Sequence, residues 1–264
     1  MAYRVASITD VGIRRKVNQD TISYLSVETK KGHAIMAVVC DGMGGLSEGE
    51  VASRMVADSF GEWFRNRFTA MVAEGVHEEH LKEELTELVA RQNQELIDYG
   101  NSKGIQAGTT VSAIFIANNR YYIVHVGDSR IYGLTDKMLL QLTNDHSVVA
   151  EEVRKGILTP EQAKTDKRSN ILTQCVGVRS TVAPEFSDGS IKGSVSFLLC
   201  SDGLVHKISG QEIWQSCNPK LVNRTDKMNS ALYGMVELVK DRQETDNISA
   251  ILLRADRKKG GIVE

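Results

Sequence analysis

The segment Ile35-Met36-Ala37-Val38-Val39-Cys40-Asp41-Gly42-Met43-Gly44-Gly45 carries an apolar run that ends in an acid and a glycine-rich turn. An uninterrupted apolar run this short, closed by a turn signal, reads as a strand covered on both faces. Asp41 then stands at the mouth of a buried strand, on rigid backbone but open to solvent. The pattern recurs. Val195-Ser196-Phe197-Leu198-Leu199-Cys200 runs into Ser201-Asp202-Gly203, and in mirrored order Asp246-Asn247 opens onto Ile248-Ser249-Ala250-Ile251-Leu252-Leu253. Carboxylates brought from distant parts of a chain are what a hard divalent cation needs. A glycine after the acid lets the backbone turn tightly and bring its own carbonyl near an ion. Asp-Gly pairs are also ordinary turn formers. The reading therefore rests on the recurrence of Asp41, Asp202 and Asp246, joined by Asp128 in Gly127-Asp128-Ser129-Arg130, and not on any one of them.

Working outward, Tyr3 to Thr9 and Thr21 to Val27 alternate as strands before the Ile35 to Cys40 run. Ser47-Glu48-Gly49-Glu50 has capping-box spacing, and Val51, Ala52, Met55, Val56, Phe60, Trp63 and Phe64 behind it fall on one helical face. Leu81, Leu85, Leu88, Val89, Leu96 and Ile97 stripe a second long helix. Strands follow at Thr109 to Ile116 and Tyr121 to Val126 around the turn Ala117-Asn118-Asn119-Arg120, then at Ile131 to Leu134. Residues 145–169 are polar with short helical pieces, one capped by Thr159-Pro160-Glu161-Gln162, and read as an inserted subdomain. Strands resume near Val195; Ser209-Gly210-Gln211-Glu212 caps a further helix; Ala231, Leu232, Met235, Val236 and Val239 line the last one. Short connections imply antiparallel neighbours, so the expectation is sheets packed together and flanked by helices.

With 264 residues, 3 prolines and no Ser/Gly-rich divider, one domain over residues 1–255 is expected, with a short tail over 256–264; the stretch from Arg254 to Gly261 reads as a frayed, solvated end. A formal net charge of −2 argues for neither a nucleic-acid nor a membrane surface. No apolar stretch reaches the ~20 residues of a membrane helix, and Met1-Ala2-Tyr3-Arg4-Val5 opens no signal peptide. Cys40, Cys175, Cys200 and Cys217 form no C-x-x-C pair and read as buried hydrophobes of a reducing cytoplasm. A monomer is expected.

The acids suit magnesium or manganese, because no His or Cys spacing suits zinc. Arg14 and Arg15 precede Val17-Asn18-Gln19-Asp20, and a guanidinium grips phosphate through two parallel hydrogen bonds; a solvated basic patch is the plainer reading of Arg14 and Lys16. No Walker glycine loop is present. Ser129 is in no Gly-x-Ser-x-Gly elbow. His125 reads as packed or surface-facing, and His146 as a local hydrogen-bonding residue.

Taken together, Gly12-Ile13-Arg14-Arg15-Lys16-Val17-Asn18-Gln19-Asp20, Asp41-Gly42-Met43-Gly44-Gly45, Gly108-Thr109-Thr110, Val126-Gly127-Asp128-Ser129-Arg130, Thr143-Asn144-Asp145-His146-Ser147, Asn170-Ile171-Leu172-Thr173-Gln174, Ser201-Asp202-Gly203 and Thr245-Asp246-Asn247 resemble the PPM family, the metal-dependent type 2C serine/threonine protein phosphatases, in its bacterial form. Each segment alone is weak; their order along nearly the whole chain is specific. The resemblance implies an α+β, four-layer αββα sandwich: two antiparallel sheets face to face, flanked by helices, with residues about 145–169 as a small flap. It implies that Asp41 bridges two metals, that the Gly42 carbonyl touches one, that Asp202 and Asp246 complete the ligands, and that Asp128 with Asp202 holds a third, weaker ion. Arg15 would bind the phosphate, and Asp20 would orient metal-bound water, with Asn18 and Asn247 supporting the ligands from behind. The implied reaction is hydrolysis of phosphoserine or phosphothreonine by a hydroxide bridging two Mn2+ or Mg2+ ions, in a cytoplasmic enzyme that opposes a serine/threonine kinase.

Three positions depart from the family pattern. Met43 and Leu46 stand where members carry a His, which leaves the proton donor to the leaving group unassigned, and Gln19 stands where a Glu is found. Two other readings stay open: the same fold used as a binding module, against which the intact acids count, and a phosphatase of small metabolites.

Overall fold

The structure is a computed structural model and describes residues 1–29, 31–43 and 48–256. The strands are β1 (Ala2–Asp10), β2 (Asp20–Thr29), β3 (Gly32–Asp41), β4 (Val111–Ala117), β5 (Arg120–Val126), β6 (Arg130–Leu134), β7 (Leu139–Gln141), β8 (Glu185–Ser190), β9 (Ser194–Cys200) and β10 (Ile248–Asp256). They form two antiparallel sheets, ordered β1-β10-β9-β6-β7 and β2-β3-β4-β5-β8. The helices are α1 (Gly49–Trp63), α2 (Thr69–Glu74), α3 (Glu78–Lys103), α4 (Val148–Arg154), α5 (Pro160–Ala163), α6 (Asp202–Val205), α7 (Gly210–Cys217) and α8 (Thr225–Asp241).

The continuous apolar strands are explained by three cores. In β3, Ile35, Ala37 and Val39 pack between the sheets with Ile114, Phe197, Leu199, Ile251 and Leu253. Met36, Val38 and Cys40 point the other way, into a layer with Phe60, Trp63 and Phe64 of the first helical region and Leu81, Leu85 and Leu88 of α3. On the opposite outer face, Leu198, Cys200, Ala250 and Leu252 meet Ile213, Leu232, Met235 and Val236 of α7 and α8. Side chains alternate across a strand, so residues 34–40 of β3, 195–200 of β9 and 248–255 of β10 are buried on both faces. This is the expected four-layer sandwich.

Several local expectations change. Ser47 and the Gly44, Gly45 and Leu46 positions lie outside the described residues, and α1 starts from Glu48 in the left-handed region (φ 57) without a side-chain cap; the Glu48 carboxylate instead pairs with Tyr99 and Lys103. The first helix does not stop at Phe64. It passes through a π turn, Phe64–Phe68, into α2, which sets the rings of Phe64 and Phe68 5.7 Å apart in the core. The strand placed from Thr109 begins at Val111; Thr109 bridges Gly42 on one side and Val176 on the other. Two edge strands, β7 and β8, give no sequence signal because they are short or polar and half-exposed. The C-terminal stretch is not frayed from Arg254: β10 continues to Asp256, paired with Ala2. Arg254 is buried, donating to the carbonyls of Pro219 and Val222 and to the carboxylate of Asp256. Residues 257–264 lie outside the described residues. In the 145–169 region α4 and α5 form, and the Thr159/Gln162 capping box is present in both directions.

Candidate metal centre

The antiparallel order brings one end of β1, β2, β3, β5, β6, β9 and β10 together, and every predicted ligand stands at that end. Asp20 and Asp41 are direct register partners across β2 and β3. Cys200 pairs with Ala250, so Asp202 and Asp246 meet where β9 ends and β10 begins. Asp128 sits in the turn joining β5 to β6.

The backbone around Asp41 is pinned on both sides. Its amide donates to Thr110 Oγ1 (2.9 Å), and its carbonyl accepts from Thr110 N and Thr109 Oγ1 (both 2.9 Å). Gly42 N donates to Gln19 O at 3.1 Å. A Cβ on Gly42 would lie 2.2 Å from the carbonyl oxygen of Gly49, and one on Gly203 would lie 2.1 Å from that of Asn247. Both glycines following an acid are therefore required by close backbone approach.

The carboxyl groups of Asp41 and Asp202 lie near enough to shift each other's titration. Burial, and then the charges of Asp20, Asp202, Asp128 and Asp246, drive the Asp41 carboxyl far above the usual range. Burial likewise lifts Asp202, aided by Asp246 and Glu244 and opposed by His206. Asp128 is pushed to about 8 by burial, then by Asp202 and Asp145. Asp20 is pushed to about 7 by burial, even though Ser201 hydrogen-bonds to it. Against these acids stand two cationic groups. Arg15 Nη2 donates to Asp246 Oδ2 at 2.7 Å, which raises the arginine further, and His206 lies beside Asp202. Mutually repelling carboxylates at a protein surface are stabilised by a multivalent cation. Asp20 also keeps one buried oxygen, Oδ1, without a hydrogen-bond partner. The donor set is oxygen-rich and fits magnesium or manganese.

The supporting residues form two groups. Ser201 Oγ donates to Asp20 Oδ2 (2.8 Å) and accepts from Ser249 N (3.0 Å). Asn18 bonds Thr9 Oγ1 through Nδ2 (2.7 Å) and accepts from Asp20 N through Oδ1 (3.1 Å). Asn247 clamps the loop that carries Arg15: its Nδ2 donates to the carbonyls of Val11 (2.9 Å) and Val17 (3.1 Å), and its Oδ1 accepts from Gln19 N (2.9 Å).

Arg14 and Lys16 are exposed. His125 is buried between Ser112 Oγ (2.8 Å) and the Asn144 carbonyl (3.1 Å), against His146, and groups with His146 and Glu185 and not with Asp41, Asp202 and Asp246. Sequence reasoning missed His206 and Glu244. His206 Nε2 is 3.4 Å from Asp202 Oδ2, and its Nδ1 is 3.4 Å from Glu244 Oε2. The available signal was the four-residue interval from Asp202 to His206, which puts both on one face of a helical turn.

The family model for protein phosphatase 2C matches residues 13–252. The serine/threonine phosphatase stp of Listeria monocytogenes is 33% identical over 263 residues, covering 96% of each chain. The solved S. agalactiae serine/threonine phosphatase superposes with a TM-score of 0.80 at 28% identity, covering 96% of this chain and 99% of that one. The catalytic domain of the serine/threonine protein phosphatase PstP, solved in complex with two manganese ions, gives 0.75 at 26% identity, covering 96% of this chain and 99% of that one.

Proposed function

We propose that this chain, which belongs to the protein phosphatase 2C family, hydrolyses phosphoserine and phosphothreonine monoesters of proteins with two divalent ions, Mn2+ or Mg2+, and a third, weaker one. The observation that carries this reading is the convergence of Asp41, Asp202, Asp246 and Asp128 on one sandwich end beside Arg15. Asp41, the Gly42 carbonyl, Asp202 and Asp246 would hold the two principal ions, and Asp128 with Asp202 the third. Bound there, the ions would supply an activated water at neutral pH and would neutralise charge on the phosphoryl group.

The remaining work falls to the chain. Arg15, on the exposed loop beside Asp246, would grip two phosphate oxygens. Asp20 offers its unpartnered Oδ1 to orient a water, while Ser201 fixes its other oxygen. Asn18 and Asn247 hold these two groups in position. Met43, which follows Asp41-Gly42, carries no acidic proton, so the leaving alkoxide takes its proton from solvent or from water at the site. The mouth is open: the side chain of Arg15 is 41% exposed, and Ile13 and Val17 of its loop are exposed. That suits a protein segment better than an enclosed metabolite. The intact carboxylates favour an enzyme over a binding module. Among the described residues no helix is long and apolar enough to cross a membrane; a cytoplasmic monomer opposing a serine/threonine kinase is part of the proposal.

The test is release of inorganic phosphate from a phosphothreonine peptide. We expect release with manganese, none with chelator, and at least a 100-fold loss in Asp202→Asn. Absence of release from folded, manganese-loaded protein would shift the assignment to a binding module.

A further inference from the structure

Arg15 is the middle one of three consecutive cations, and it alone has a partner. Its Nη2 donates to Asp246 Oδ2, whereas Arg14 and Lys16 are exposed and make no ion pair or side-chain hydrogen bond among the described residues. The acids on either side of them in the chain are already engaged. Asp10 holds Lys240 and the Gly12 amide, and Asp20 is buried and bonded to Ser201. The loop cannot fold back to find others. Asn247 fastens it at Val11, Val17 and Gln19. Gly12 sits in the left-handed region (φ 77), and a Cβ there would lie 2.2 Å from the carbonyl oxygen of Asp246. Ile13 and Val17, which bound the three cations, are 47% and 54% exposed. The stretch therefore presents its side chains to solvent on a backbone locked to Asp246-Asn247.

Two uncompensated cations on a fixed loop act on whatever passes over them. Consecutive Cα atoms are about 3.8 Å apart, and an extended segment advances about 3.3 Å per residue. A segment whose phosphoryl group rests on Arg15 carries its neighbouring residues within ~10 Å of Arg14 and Lys16, a Debye length at 0.1 M salt. Acidic neighbours are attracted there and basic ones repelled, each exposed pair changing affinity about 1.4–5-fold. A long polyanion such as a nucleic acid is the poorer occupant. Asp246, Asp202 and Asp41 all act on Arg15 from the same mouth, and the chain's formal net charge is −2.

We infer that Arg14 and Lys16 form a cationic rim that selects phosphorylated protein segments with acidic residues within about three positions of the phosphoserine or phosphothreonine. The inference rests on the reading of Arg15 as the group that binds the phosphate. Arg14 and Lys16 meet the segment beside the phosphoryl group and not the reacting atoms, so they act on KM and on association more than on kcat. Because Asn247 holds the loop in one conformation, no ordering of the loop is needed before the contacts form.

The test uses the full chain loaded with Mn2+ and two phosphothreonine peptides of equal length, one with Glu and one with Lys at the positions flanking the phosphothreonine. Wild type is expected to favour the Glu peptide about 10-fold in kcat/KM at low salt, mostly through KM, and less than about 3-fold at about 0.5 M salt. With Arg14→Glu and Lys16→Glu combined, the preference is expected to reverse. The readout is a ratio between two substrates on one protein, so partial loss of folded enzyme does not imitate it. Equal kcat/KM for the two peptides in wild type, or a preference unchanged in the double variant, overturns the inference and leaves the two cations as a solvated patch. Phosphate release from neither peptide would instead remove the reading of the site as a protein phosphatase, and the inference with it. If Arg15→Ala leaves KM for both peptides unchanged, the error lies in the reading of Arg15 and the inference falls for that reason.

Discussion

Arg15 and Asp246 share a 2.7 Å hydrogen bond across 231 residues of chain. The arginine sits on an exposed loop, while the acid is at the mouth of a buried strand. Removing Arg15 should weaken phosphate binding and leave the ions in place, since no predicted ligand depends on it for backbone position. For Arg15→Ala we expect kcat/KM to fall ~10–100-fold, in the range of a lost charge-assisted contact, with Mn2+ affinity within twofold of wild type. Calorimetric titration with manganese checks the second half; a large loss of metal affinity would mean that Arg15 builds the cluster and does not grip the substrate. Which arginine does this was legible from its distance to Asn18. That Asp246 holds it was not, because the contact joins the β1–β2 loop to the start of β10.

At the scale of elements, two joints hold the site to the sandwich. Asn247 closes the loop between β1 and β2 by bonding both Val11 and Val17. Asn247→Ala would leave those carbonyls unpaired and the Arg15 loop loose. Its expected signature is a several-fold rise in KM, a stability loss of about 0.5–1.5 kcal/mol for the hydrogen bonds lost, and little change in metal binding. An unchanged KM in steady-state kinetics would refute the clamp. The second joint is His125, which links β5 to the Asn144 carbonyl. Burial, then the neighbouring His146, hold His125 down at about 4, although Glu185 and Asp145 also face it and pull upward. Its folded value is lower than the ~6.5 of an unfolded chain. The unfolded state therefore binds the extra proton, and stability is lost as pH falls from about 6.5 towards 4, by ~3 kcal/mol in all. Urea unfolding at pH 7 and pH 4.5 should show that loss, and His125→Gln should shrink it; an equal loss in the variant would place the acid sensitivity elsewhere.

For the whole molecule, the cluster of acids opposes folding until cations arrive. Asp20 at about 7 and Asp128 at about 8 lie above the ~3.9 of an unfolded aspartate. The native state then holds the extra protons, so the contribution present below pH ~3.9 is lost as pH rises through 7 and 8. Chelated protein should therefore melt at a lower temperature at pH 8.5 than at pH 7. Manganese should restore it most at the alkaline end, by about 2.7 kcal/mol at a hundredfold excess over Kd. Equal melting with and without chelator at pH 8.5 would contradict a metal-dependent cluster.

The sequence by itself determined the layers and the acids. Burial is written locally: a strand dry on both faces is mostly apolar along its middle, as β3, β9 and β10 are, and a helix on such a sheet must carry a stripe, as α3 does. Asp41, Asp128, Asp202 and Asp246 were legible because each interrupts or borders such a run. The edge strands β7 and β8 were not, because an exposed, half-paired strand has no apolar pattern to keep. Arg254 looked like the start of a charged tail, and only the carbonyls of Pro219 and Val222, folded over it, make it a buried residue. His206 and Glu244 lie 38 positions apart, and no periodicity joins them. Their meeting depends on the pairing of β9 with β10, a long-range register set by backbone hydrogen bonds and core packing. Which acids gather was decided along the chain; what stands between and behind them was decided only when the sheets closed.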